Sequence, residues 1–308
     1  MLFIINRNAC LNKSYQIFKS KIEPLLKEKK VSFEYVTTET VAEAINCARN
    51  SVKKHREVIA CGGDGTVNAV GTGLLSAGTL EEGQVVMGAL PIGSSNNFAL
   101  QTLKIPRHPQ EALKVLLEGK KLSIDVGKTG EHFFFNVFGI GVGGEVADVG
   151  QRQWPFCRLP NIWFRYKLPA LAIALRGIST FDVDVKTDKG DAFSGTLIFA
   201  NTYNGKGEGK YLPLNENGSA SDGVLNMVLI EDISLAKYVA RPSIPIVIRK
   251  LRKRGKAHFF PASKIQVKIK NSSRGEFPFA YIDGELFKLE KNTFSIEILP
   301  KALSVISG

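Results

Sequence analysis

The chain is poor in cysteine. Its 308 residues hold four, Cys10, Cys47, Cys61 and Cys157, far apart and with no Cys-x-x-Cys pair. That spacing excludes a disulfide framework and a zinc ribbon, and it predicts buried free thiols in a reducing compartment. Histidine is as scarce, and His55, His108, His132 and His258 show no metal-ligand spacing. Long apolar runs are missing. An uncharged stretch at Val85–Leu103 carries Pro91, Gly93, Ser94, Ser95, Asn96 and Asn97, which excludes a spanning helix there. No basic segment precedes the short apolar run Leu2–Ile5, so a cytoplasmic location is expected rather than secretion. Acidic charge is in deficit, with 29 Asp and Glu against 41 Lys and Arg, a net charge of +12. That balance predicts an anionic partner: nucleic acid, a polyanionic ligand or an anionic membrane surface. The 44% hydrophobic and 23% charged composition is that of a globular chain of one or two domains.

Strand and helix signals alternate in the first half. Apolar runs at Leu2–Ile5, Val31–Val36, Val58–Cys61 and Val85–Leu90 read as strands. Helical spacing covers Lys13–Lys30, interrupted by Pro24, then Thr40–Lys54, Val67–Leu75 and Pro109–Leu117. Such alternation predicts a doubly wound, mostly parallel sheet. Beyond Ile124 the runs turn β-branched and aromatic, with Gly, Asn and Asp turns between them: Phe133–Phe138, Phe181–Lys186, Phe193–Asn201, Gly223–Leu229, Lys264–Lys270, Phe279–Ile282 and Thr293–Leu299. These predict an antiparallel sandwich or barrel, interrupted by helical patterns at Phe164–Arg176 and Leu235–Arg252. The expected boundary lies near residues 120–126, at Gly119-Lys120-Lys121.

Four glycine-bearing segments carry the chemistry. Gly62-Gly63-Asp64-Gly65-Thr66-Val67-Asn68 joins a strand to a helix, where backbone N–H groups can approach a phosphate at the positive end of the helix. Asp64 there suits either a metal-bound water or a helix cap. The loop is neither a dinucleotide fingerprint nor a Walker A loop. Pro91-Ile92-Gly93-Ser94-Ser95-Asn96-Asn97 follows the fourth strand and opens on the same sheet edge. Ser94 and Asn96 offer a hydroxyl and an amide to a phosphate or ribose, or form an ordinary polar turn. Asp283-Gly284-Glu285 reads as a general base beside a metal-binding carboxylate, or as a hairpin turn. Gly218-Ser219-Ala220-Ser221-Asp222-Gly223-Val224 offers hard oxygen donors to a cation, or is another Asp-Gly turn.

Taken in order along the chain, these segments resemble the diacylglycerol kinase catalytic family, soluble lipid kinases of bacterial type with sphingosine and ceramide kinases as distant relatives. Ile4-Ile5-Asn6 resembles its opening strand and asparagine, and Thr37-Thr38 the threonine ending its second strand. Gly62–Asn68 matches its GGDGT-x-N loop, Gly93–Ala99 resembles the next loop, and Asn136–Val146 resembles its glycine-rich segment. Asn201–Leu225 resembles its Asn…Asp-Gly-x-Leu stretch, and Asp283-Gly284-Glu285 matches its DGE. Arg7, Asn97 and Gly143-Gly144 depart from the family pattern. The resemblance implies a first domain, 1–123 completed by 299–308, that binds ATP. It implies a second, 124–298, a β-sandwich that takes lipid, with the active site in the cleft between them. ATP would meet Asn6, Thr37, Gly62, Gly63, Asp64, Gly65, Thr66, Val67, Asn68, Ser94 and Asn96. Asp283 would act as base, Glu285 would help to hold the catalytic Mg²⁺, and Ser219, Asp222 and the carbonyl of Val224 would hold a structural one. The implied reaction moves the γ-phosphate of ATP to a lipid hydroxyl, diacylglycerol-like first. A soluble-substrate kinase resembling NAD kinases and a non-catalytic nucleotide sensor are the other readings.

Cationic surface fits that expectation. Arg249-Lys250-Leu251-Arg252-Lys253-Arg254-Gly255-Lys256 has six cations in eight positions, and Arg152, Arg158, Arg165 and Lys167 interleave with Trp154, Phe156, Trp163, Phe164 and Tyr166. Basic residues beside Trp and Tyr suit the inner face of an anionic membrane, although a solvated charged face has the same composition. No nucleic-acid recognition motif is present, so no nucleic-acid partner is expected. A free edge strand in the second domain would allow a homodimer.

Overall fold

The computed structural model describes residues 1–9, 13–78, 85–93, 96–149, 172–173, 176–206, 214–215, 218–232, 244–275 and 277–308. They form two units, Met1–Val126 with Leu299–Gly308, and Gly127–Ile298. The aromatic–basic segment 152–167 and the helix expected over 164–176 fall almost wholly outside the described residues.

The first unit is a parallel sheet. Its apolar runs make β1 (Leu2–Asn6) and β3 (Glu57–Gly62), flanked by β2 (Glu34–Thr38) and β4 (Val86–Pro91) in the order β2-β1-β3-β4. All pairs are parallel, with Ile5 opposite Thr37 and Cys61 opposite Leu90. Nearly every residue of β1, β3 and β4 is buried, which is why they read as unbroken apolar runs rather than alternating ones. Residues of the chain's last strand join beside β4, Ser304 opposite Val86.

Proline shapes the first helical stretch. The structure splits it into α1 (Ser14–Ile17), a π-helical turn over Phe18–Ile22, and α2 (Glu23–Glu28) with Pro24 in its first turn. Pro24 has no N–H and its ring crowds the preceding turn, so one wide turn followed by a fresh helix start accommodates it. Helix α3 (Val41–Ser51) is capped by Thr40, whose Oγ1 accepts from Glu43 N–H at 3.2 Å. It packs closely on α4 (Asp64–Leu75): a Cβ on Gly73 would lie 2.3 Å from the Ile45 carbonyl oxygen and 2.7 Å from Ala48 Cβ. Only glycine permits that approach. After α5 (Pro109–Glu118) the chain enters β5 (Lys120–Thr129), a strand within which the first unit ends, at Val126. Its first three residues are exposed and carry two lysines, which hides the strand from an apolar-run reading.

The second unit is antiparallel. Strands β6 (His132–Phe134), β7 (Val137–Gly141), β8 (Phe181–Thr187) and β9 (Ala192–Tyr203) are followed by β10 (Leu225–Glu231), β11 (Ala257–Ala262) and β12 (Lys264–Ser272). Then come β13 (Ala280–Ile282), β14 (Glu285–Phe287) and β15 (Thr293–Ser307), whose start belongs here. The hydrogen-bonded path runs β14-β13-β7-β9-β8-β12-β15, with β10 and β11 branching from β9. The antiparallel pairing expected of a sandwich or barrel is present, and it is continuous through all these strands. The twelve-residue β9 is long enough to pair with β8 through Ala192–Leu197 and with β7 and β10 beyond that. Alternate residues, among them Phe138, Val183, Leu197, Met227, Val267 and Ile296, share one core. Helix α6 (Val142–Asp148) follows β7, and α7 (Ile244–Lys253) occupies the end of the expected Leu235–Arg252 helix. Among the described residues no helix is long and apolar enough to cross a membrane.

Candidate active site

The glycine loop of the first unit lies where the sequence placed it, between β3 and α4. Thr66 and Val67 N–H make the first helical bonds, both to the Gly63 carbonyl at 3.0 Å. The loop is tied to the end of β1, because Asn6 Nδ2 donates to Thr66 Oγ1 at 3.1 Å. Asn6 Oδ1 in turn accepts from Asn8 N–H at 2.9 Å, and Ser14 Oγ bonds the Asn6 carbonyl. Thr37 sits half-buried on β2 opposite Ile5, and the neighbouring Thr38 carbonyl accepts from Arg7 N–H. Asn68 Oδ1 accepts from Thr72 Oγ1 at 3.4 Å. Val67 is buried in the core.

Asp64 joins this loop to the next one. Its Oδ2 accepts from Asn97 N–H at 3.0 Å and its Oδ1 from Phe98 N–H at 2.9 Å. Asp64 therefore binds the backbone that opens the π-helical turn Phe98–Thr102, 33 residues away. The loops also touch through backbone. A Cβ on Gly93 would fall 2.2 Å from Gly63 Cα and 2.4 Å from Gly63 N, so this glycine is required by contact. Asn96 shapes the second loop from inside. It is 2% exposed, holds φ +58°, accepts from Gly93 N–H at 3.0 Å, and donates to the Gly93 and Pro91 carbonyls. Its amide thus serves the loop's own backbone rather than facing outward. Ser94 lies outside the described residues. A cavity of about 270 Å³ opens nearby, lined by Arg7, Asn8, Tyr15, Gln16 and Glu39, with Arg7 and Glu39 paired at 3.5 Å. The C-terminal ends of parallel strands are where such sheets bind ligands. Cys61, directly before the loop, is buried, and burial pushes its thiol well above the ordinary 9.0.

Asp283 organises the second unit's site. It is 8% exposed and held at φ +49° in the turn between β13 and β14. Its Oδ2 accepts from Phe135 N–H, and its Oδ1 from Asn136 and Val137 N–H, all at 2.9 Å. Its own N–H donates to the Val137 carbonyl. Three N–H dipoles converging on one carboxylate stabilise its ionised form. They also explain why the Phe133–Phe138 run is two strands: residues 135 and 136 turn their N–H groups to Asp283 instead of to a neighbouring strand. Glu285 follows on β14 and is exposed. Behind the turn, Asn201 Nδ2 donates to Tyr203 Oη at 3.0 Å and to Tyr281 Oη. Gly139 and Gly143 leave room for the Tyr281 ring, since a Cβ would sit 2.2 or 2.7 Å from its Cε1. No local pattern around Tyr203 or Tyr281 signals this buried pair.

The third segment is a turn. Val224 N–H donates to Asp222 Oδ1 at 3.0 Å, and Ser219 Oγ lies 3.1 Å from Ser221 Oγ. Asp222 is exposed and Ser219 half-buried. Ser219 hydroxyl, Asp222 carboxylate and Val224 carbonyl are all oxygen donors, a set whose chemistry fits a hard cation. Among the described residues no group of three His, Cys, Asp or Glu side chains converges as a ready metal cage.

Two glycine loops at the strand ends of a parallel sheet, joined by an aspartate and by backbone contact, accompany matches to known proteins that support a kinase-like phosphotransferase. Residues 1–129 match the model of the diacylglycerol kinase catalytic domain. The chain is 26% identical over 239 residues to a diacylglycerol kinase of Bacillus subtilis (strain 168), covering 73% of this chain and 72% of that one. It is 27% identical over 232 residues to a diacylglycerol kinase of Staphylococcus saprophyticus, covering 72% and 71%. A solved structure of a diacylglycerol kinase from Bacillus anthracis str. Sterne shares the fold, with a TM-score of 0.69 and 19% identity over 100% of this chain and 96% of that one.

Proposed function

We propose that the protein is an ATP- and Mg²⁺-dependent lipid kinase, transferring the γ-phosphate of ATP to a lipid hydroxyl, with a diacylglycerol-like acceptor. The observation that carries this reading is the reach of the similarity. The match to curated diacylglycerol kinases extends over 239 residues, well past the 129 of the catalytic domain and so into the second unit. Phosphoryl transfer has a loose transition state that asks for positioning and charge compensation more than for a strong base. The paired loops supply positioning, with backbone N–H groups at the start of α4 directed at the phosphates. Asp283, held in place by its three N–H partners, would accept a hydrogen bond from the lipid hydroxyl and orient its oxygen. Ser219, Asp222 and the Val224 carbonyl would hold a structural Mg²⁺, and Glu285 would contribute to a catalytic one. Mg²⁺, when bound, neutralises charge on the transferring phosphoryl group. Work on a membrane lipid requires peripheral association with a bilayer.

The test is transfer of radiolabelled γ-phosphate from Mg²⁺-ATP into mixed micelles of several hydroxyl-bearing lipids. Labelled lipid from wild type, lost in Glu285→Gln, supports the reading; label in a soluble acceptor alone overturns it. One observation favours a second reading, a nucleotide sensor: the Asp64 and Asp283 carboxylates both bracket backbone N–H groups. ATP binding with no labelled product for any lipid would select it.

A further inference from the structure

Helix α7 carries a charge pattern that its own stability does not explain. The sequence Ile244–Lys253 contains no acid. Arg249, Lys250, Arg252 and Lys253 are exposed, as are Arg254 and Lys256 just beyond. Arg249 and Lys253 stand four residues apart and Lys250 and Lys253 three, so like charges face each other along one side and destabilise the helix. The α1–α2 segment shows the ordinary solution, with Glu23 between Lys19 and Lys27 and paired with both. The end of α7 has no such acid. Glu231 is engaged by Lys256 and His258, Asp232 is exposed nearby, and Arg252 lies over the Phe259 ring at 4.9 Å. Arg249, Lys250 and Lys253 have no acidic partner among the described residues. A helix C-terminus offers only about half a negative charge, too little to account for this many cations.

The end of the helix is also firmly held. Leu251 is 2% exposed and packs with Val228, Ile230 and Ala257. Gly255, at φ +64°, ends the helix, and Lys256 N–H reaches back to the Leu251 carbonyl at 2.9 Å. A fixed platform therefore presents cations outward. We infer that the face of α7 carrying Arg249, Lys250 and Lys253 docks on an anionic lipid bilayer. This deepens the lipid-kinase reading and rests on it for its purpose. Charge complementarity selects the occupant: several cations on a rigid amphipathic helix match a sheet of anionic headgroups.

Vesicle sedimentation tests it, using phosphatidylcholine with and without phosphatidylglycerol. Wild type should bind only the anionic vesicles, and more weakly at high salt. Replacing Arg249, Lys250 and Lys253 together with Gln, a good helix former, should weaken binding about 100-fold, roughly fivefold per cation. A variant with Lys29, Lys264 and Lys268 changed to Gln loses the same charge elsewhere and should bind within about twofold of wild type. Equal losses in both variants, or no loss in the first, would overturn the inference. Tighter binding to an oligonucleotide than to anionic vesicles, abolished by the same three substitutions, would overturn it in favour of nucleic acid. Phosphate transfer in neutral detergent micelles is measured alongside. Its absence sinks the kinase reading and leaves the docking result standing, and its survival in the α7 variant separates docking from chemistry.

Discussion

Replacing Asp283 by Asn keeps the shape of the side chain and removes its charge. The native carboxylate accepts three backbone N–H groups, two on Oδ1 and one on Oδ2. The amide can offer one oxygen. Placed at Oδ1, that oxygen keeps Asn136 and Val137 but turns an NH₂ group against Phe135 N–H. A buried donor left without an acceptor costs about 1–3 kcal/mol, and the two retained bonds each weaken by about 1 kcal/mol on losing the charge. Relief from desolvating a carboxylate offsets part of this, leaving a net loss of about 2–4 kcal/mol. For a unit the size of 127–298, that is a fall in melting temperature of about 4–16 °C by calorimetry. Glu285→Gln, at an exposed position two residues on, should stay within about 0.5 kcal/mol of wild type. If Asp283→Asn melts like wild type, the three-pronged bracket is not holding the turn and this reasoning fails. The same arithmetic governs any activity assay: lost phosphate transfer in Asp283→Asn speaks to catalysis only at temperatures where the variant is still folded.

Three further perturbations test the first unit. Asp64→Ala strips two N–H groups of their acceptor, so stability should fall by about 2–4 kcal/mol and ATP affinity at least tenfold by titration calorimetry; unaltered affinity would mean the two loops do not bind as a pair. Gly93→Ala must push the loops apart by about 1 Å, and kcat/KM for ATP should drop by about 100-fold, whereas full activity would show that the loops separate without consequence. Glu23 is held below the usual glutamate value of 4.5, first by Lys19 and then by Lys27. Its contribution is therefore present above that pH and lost as pH falls through the depressed value. The stability gap between wild type and Glu23→Gln in urea melts should shrink as pH drops below 4.5, and a pH-independent gap would contradict the pairing.

Local signals carried the first unit far. The strand-loop-helix unit around Gly62–Asn68 could be read because an apolar strand, a glycine turn and a helix start are each written within a few residues. Pro24 announced an interruption, though not that a π-helical turn would absorb it. What stayed hidden depends on distant partners. Asp64 meets backbone 33 residues away and Asp283 meets backbone 148 residues away. Nothing near Phe135 signals that its N–H belongs to a turn rather than to a strand ladder. Asn96 looked like a ligand because its amide is polar and lies in a loop; its burial, invisible in sequence, makes it an internal brace. Strand β5 was missed because its exposed lysines mimic a linker.

The last strand has a consequence for synthesis. Leu299–Gly308 completes a unit that otherwise ends at Val126. Lys301 N–H bonds Asp125 Oδ1 at 2.8 Å, and Gly308 N–H bonds the Leu103 carbonyl at 2.9 Å. On a ribosome adding about 5–20 residues per second, residues 127–298 take roughly 10–30 s to emerge. Throughout that interval β4 has a bare edge, and its Val86 and Met87 await Ser304 and Val305. The first unit is thus completed only after the second has been made. During that interval the unpaired N–H and C=O groups along β4 are open to any other strand that reaches them.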